Sequence, residues 1–145
     1  MENKRDEYPY CKCLLFSSGA LSRVMNKLAE DSFKQTGLSA SLAFVLMTVV
    51  KRPGISIGQL AKLMILAPST LTRLVETLDN QGFLKKVPEG RTSIIFAKES
   101  GVDLDPVLRK CWTELYSKYN AILGVEFSKS LAETTFNASL MLNNP

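Results

Sequence analysis

The chain contains no histidine. That removes the commonest general base and a principal metal ligand, so catalysis starts at a disadvantage. Its three cysteines, Cys11, Cys13 and Cys111, form an odd set without CxxC spacing. This argues against a disulfide scaffold and against a structural zinc site, which needs four Cys/His ligands. There is no Gly-rich phosphate loop and no nucleophile motif, so no enzyme, metal or cofactor is expected. The longest apolar run, Leu42 to Val50, is far short of the roughly 20 residues that span a bilayer. The opening MENKRDEYPY is polar and charged, without the apolar core or small-residue cleavage site of a secretory leader. The expectation is a soluble cytoplasmic protein.

What is present fits one globular domain of 145 residues, 46% of them hydrophobic. The net charge of +4 is modest but unevenly placed. Residues 50–95 hold seven Lys/Arg against three Asp/Glu, whereas residues 96–145 hold five against six. The middle third is therefore the part suited to a polyanion.

Apolar residues at helical spacing (Leu14, Leu15, Leu21, Val24, Met25, Leu28) predict a helix from about Cys11 to Lys34, stopped at Thr36-Gly37. Ser39 caps a second, mostly buried helix through Val50, and Arg52-Pro53-Gly54 breaks it. Ser56 and Gln59 form a capping box, with Ile55 and Leu60 as its hydrophobic staple, so a short third helix runs from Ile57 to about Met64. After Ile65-Leu66-Ala67, Pro68 suits a first helical position and opens a fourth helix to about Gln81. Phe83 to Val87 and Ser93 to Ala97 are β-prone, and Pro88-Glu89-Gly90-Arg91 supplies the turn between them. Asp105-Pro106 is read as the cap and first residue of a long helix bearing Leu108, Cys111, Trp112, Leu115 and Tyr119. Gly124 interrupts it before a last helix to about Leu142. The fold class is thus mainly α with a small β-hairpin. A short helix, a turn, a second helix and a hairpin make a winged helix-turn-helix, flanked by long terminal helices.

On the fourth helix Leu71, Leu74, Val75 and Leu78 share one face, and Ser69, Thr72, Arg73, Glu76, Thr77 and Asn80 fall opposite. Three threonines, a serine and an arginine within residues 69–77 cost about 1 kcal/mol of helix propensity relative to Glu and Lys. DNA offsets such a cost. Hydroxyls near a helix start reach phosphates, a Thr methyl meets a thymine methyl, and Arg binds guanine bidentately. The candidate DNA contacts are Ser56, Pro68, Ser69, Thr70, Thr72, Arg73 and Thr77, with Lys85, Lys86 and Arg91 from the hairpin. Glu76 is the odd member. It accepts from a cytosine amino group, pairs with Arg73, or weakens phosphate binding, and pairing with Arg73 ranks first.

Ile57-Gly58-Gln59-Leu60-Ala61-Lys62-Leu63, followed by the run from Pro68-Ser69-Thr70-Leu71-Thr72-Arg73-Leu74-Val75 through Gly82-Phe83-Leu84, resembles the MarR family of bacterial transcription regulators. The likeness extends from about Leu14 to Trp112, with Arg91 at the place of the family's wing arginine. The resemblance implies residues 1–10 as a polar tail, 11–36 as a dimerisation helix, 37–100 as the DNA-binding winged helix and 101–145 as further dimerisation helices. It also implies a homodimer on pseudo-palindromic double-stranded DNA, a repressor role, and a small-molecule effector between the dimerisation helices and the reader. Apolar residues on several faces of the terminal helices point to a partner independently. The wing is shorter than the family's usual form, and Glu76 and Thr77 replace common basic positions. Both departures lower the expected non-specific affinity.

Two alternatives stay open. Cys11 and Cys13 stand near the place of the reactive thiol in peroxide-sensing members, in the helix-start, lysine-flanked setting that favours thiolates. The second helix, however, has no tyrosine to bond such a thiol. The other alternative is a winged helix used for protein contact, with little DNA affinity.

Overall fold

The computed structural model describes residues 7–143. Residues 1–6 of the expected polar tail and residues 144–145 of the last segment lie outside that range. Helix α1 spans Leu14–Phe33 and tightens into a 3-10 turn over Lys34–Thr36. Cys11 and Cys13 therefore precede the helix instead of opening it, with Cys13 at the N-cap. Gly37 reverses the chain at φ +71°, a left-handed conformation natural to glycine. Ser39 Oγ then accepts from Leu42 N–H at 3.3 Å and starts α2, Ala40–Lys51.

The capping box forms as read, with Ser56 Oγ accepting from Gln59 N–H and Gln59 Oε1 accepting from Ser56 N–H, both at 3.2 Å. It opens α3, Ile57–Met64. Pro68 is the first residue of α4, Pro68–Asn80. The wing consists of β2, Leu84–Glu89, and β3, Thr92–Ala97, in antiparallel register from Leu84 opposite Ala97 to Glu89 opposite Thr92. The expected four-residue turn contracts to Gly90-Arg91, with Gly90 at φ +60°. Pro88 instead sits in β2, where its missing N–H is tolerated because β2 is an edge strand. A third strand, β1, is only Ile55–Ser56 and pairs with β3, Ile55 opposite Ile95. Ile55 is thus a buried strand residue as well as the flank of the capping box.

The main departure is at α5, which runs Glu99–Leu123, about two turns earlier than Asp105-Pro106 implied. Three contacts pull the start forward. Lys98 N–H donates to the Phe83 carbonyl at 2.8 Å, Ser100 Oγ donates to the Gly82 carbonyl at 2.6 Å, and Gly101 packs beneath them. These contacts and the packing beyond outweigh the local cost of an interior proline. Asp105 caps nothing; its carboxylate accepts from Arg109 Nε one turn on, at 2.8 Å. After Gly124, α6 covers Val125–Asn143.

The core sits where α2, α3, α4 and α5 meet the sheet. Leu46, Leu60, Leu71, Val75, Leu78, Leu84, Ile95, Leu108 and Cys111 are fully enclosed, and Phe33 joins them from the end of α1. Among the described residues no single helix is long and apolar enough to cross a membrane.

A β-carbon at Gly101 would lie 2.5 Å from the Phe83 carbonyl oxygen and 3.0 Å from Leu46 Cδ1. Gly101→Ala is therefore expected to destabilise the protein by about 1–3 kcal/mol through overpacking. Urea unfolding checks this, and unchanged stability would contradict so tight a seam.

Candidate nucleic-acid interface

Helix α4 owes its orientation to burial. Leu71, Val75 and Leu78 are inaccessible to solvent, so the opposite side must face outward. Ser69, Thr70, Arg73, Glu76 and Thr77 are exposed there, Pro68 is exposed at the helix start, and Thr72 is half-buried. The sequence-derived stripe is thus brought together on one surface.

Its hydroxyls behave differently from the expectation. Thr72 Oγ1 donates to the Pro68 carbonyl at 2.8 Å, and Thr77 Oγ1 donates to the Arg73 carbonyl at 2.9 Å. Two threonines therefore satisfy their donors one turn back along their own helix. They keep oxygen lone pairs and methyl groups for an outside partner, and their presence does not by itself demand DNA. Ser56 Oγ is similarly engaged, as the acceptor at the start of α3.

The wing lysines lie on opposite sides of the hairpin, as alternate strand residues must. Lys86 Nζ is 3.7 Å from Glu76 Oε1. Lys85 Nζ stands 5.8 Å from the centroid of the Phe96 ring, within cation–π range. The expected pairing of Glu76 with Arg73 is not made. The partner comes from the wing because β2 lies along α4, a proximity invisible in local spacing. Arg73 and Arg91 have no ion-pair partner among the described residues, and Arg91 is exposed in the two-residue loop at the wing tip.

Two open clefts flank this region. One, lined by Arg52, Gln59 and Lys62, lies against β1 and α3; its cations were visible in the sequence only as part of the mid-chain charge excess. The other, of about 490 Å³, lies between α2, α3 and α5 and is lined by Phe44, Met47, Lys51, Arg52, Arg109 and Trp112. Cys13 is exposed and Cys11 half-buried ahead of α1, away in sequence from both clefts.

The turn between α3 and α4 carries Ile65 at φ +54°, ψ +45°. A β-branched residue in the left-handed region is strained.

Residues 38–89 match the MarR family model. The HTH-type transcriptional regulator YybA of Bacillus subtilis is 27% identical over 100 residues, 67% of each chain. Among solved structures, the PcaV regulator of Streptomyces coelicolor, in complex with its natural ligand, superposes with a TM-score of 0.81 at 19% identity, over 90% of this chain and 94% of that one. MepR of S. aureus, in complex with DNA, gives 0.75 at 14% identity, over 88% and 96%.

Ile65→Ala and Ile65→Gly lose nearly the same side chain but differ in backbone freedom. The glycine variant is expected to be more stable than the alanine variant by about 1 kcal/mol; thermal melts of the two compare them directly, and equal stability would contradict the strain.

Proposed function

We propose that the chain is a transcription regulator of the MarR family, whose model matches residues 38–89, and that it binds double-stranded DNA through α4 and the wing. The observation that carries this is the exposed face of Ser69, Thr70, Arg73 and Thr77, held rigid from behind by the enclosed Leu71, Val75 and Leu78. Pro68 and Ser56 place backbone and hydroxyl groups at the two helix starts, where phosphates are favoured. Arg91 reaches a minor groove or the backbone beside it. Lys85 and Lys86 add phosphate contacts only by leaving Phe96 and Glu76.

The DNA-binding form is a homodimer on a pseudo-palindromic site, acting as a cytoplasmic repressor. Leu15, Ile122 and Met141 are 83%, 75% and 76% exposed on α1, α5 and α6, and apolar surface of that extent on terminal helices calls for a second copy. The response is to a small molecule in the cleft beside Trp112. That cleft joins α5, continuous with the proposed dimer helices, to α2 and α3 behind the reader, so a ligand there would bias their relative position.

Arg73→Ala is expected to weaken specific DNA binding by about 1–3 kcal/mol without loss of fold, whereas Leu78→Ala loses about 2–5 kcal/mol of stability. Fluorescence anisotropy and thermal unfolding separate the two, and equal DNA affinity for Arg73→Ala and wild type would refute the reading face. Trp112 is the only tryptophan in the chain, so an effector in the cleft is expected to change intrinsic fluorescence in proportion to DNA release. Release without any change in emission would place the effector elsewhere.

A further inference from the structure

We propose that Glu76 is a specificity-determining residue: by holding Lys86 as its counter-ion, it suppresses sequence-independent DNA binding. This rests on the DNA-binding reading above. Glu76 Oε1 lies 3.7 Å from Lys86 Nζ, with side chains 54% and 31% exposed. A solvated pair at that distance adds little to folding stability. Its effect is on the interface.

Both partners belong to the surface that α4 and the wing present. Glu76 follows Thr72 and Arg73 by one turn on the exposed side of α4, and Lys86 reaches it from β2. Lys85, the other wing lysine, is drawn to the far side of the hairpin over Phe96. The pair thus takes one wing cation out of general use and sets a carboxylate beside Arg73. DNA carries one negative charge per roughly 1.7 Å of duplex. An arbitrary sequence seated on Arg73 meets that carboxylate as a repulsive charge and gains nothing from a neutralised Lys86. A sequence that offers an amino donor in the major groove, from cytosine N4 or adenine N6, satisfies the carboxylate instead. Glu76 then accepts from the base edge, and Lys86 is released to a phosphate. Specific and arbitrary sites are separated mainly by how unfavourable the arbitrary one is.

The test uses wild type, Glu76→Gln, Lys86→Ala and the double variant. Binding to a mixed-sequence duplex and to a selected site is measured across a salt series, with thermal melts to confirm folding. Glu76→Gln is expected to tighten mixed-sequence binding roughly three- to tenfold, and to steepen the salt slope by about one per protomer. Lys86→Ala alone is expected to stay within about twofold of wild type on the mixed duplex, and in the Glu76→Gln background to remove most of the gain. Wild type that binds DNA while Glu76→Gln leaves mixed-sequence affinity and salt slope unchanged overturns this proposal alone. So does a large loss from Lys86→Ala by itself. Wild type that binds neither duplex at low salt overturns the DNA-binding reading and this proposal with it.

Discussion

One-sided burial of α4 is the constraint on which the remaining structure depends. Leu71, Val75 and Leu78 are enclosed by α2, α3 and the sheet, which fixes the helix about its own axis. Once that rotation is set, the direction of Arg73, Glu76 and Thr77 follows without further choice. The capping box of α3 and Pro68 at the start of α4 then determine where the two helices begin. The strained Ile65 lies between them, held there by packing on either side.

The wing is fastened to this unit at its base. The Phe83 and Gly82 carbonyls accept from Lys98 and Ser100, and Gly101 allows α5 to approach closer than any side chain would permit. The same seam therefore fixes the hairpin against the end of α4 and the start of α5, the long helix that runs toward the exposed apolar termini. Electrostatics add a second link near the middle of the wing, where Lys86 meets Glu76. The first link is short-range and closes over the buried Gly101, the second solvated and sensitive to salt.

Most of the architecture was legible because it is encoded locally. Ser39, Ser56 with Gln59, Pro68 and the Leu71-Val75-Leu78 spacing each act within a turn or two, and each element forms where those signals place it. What sequence misread depends on distant partners. Asp105-Pro106 has the local form of a helix start, yet α5 begins at Glu99 because Gly82 and Phe83 bind its first turn. Ile55 pairs with Ile95 across forty residues, too short a strand for any period to reveal. Glu76 was expected to pair with Arg73, its neighbour along the helix, and is instead met by Lys86 from the wing. The exception is local: the hydroxyls of Thr72 and Thr77, read as DNA contacts, donate to carbonyls one turn back on their own helix, so the stripe's chemistry is narrower than its composition implied. Arg73, exposed and without an ion-pair partner among the described residues, remains its clearest feature.

In the proposed DNA-binding mode, the outward face of α4 and the wing tip meet the duplex. Amide chemical-shift mapping at low salt with a mixed-sequence duplex tests it most directly, because it reports contact residue by residue and needs no knowledge of the natural site. Contact through this surface is expected to give shifts concentrated at Ser69 to Thr77 and at Gly90-Arg91, with α6 unaffected. Shifts confined to the terminal helices, or none at any DNA concentration, would contradict it.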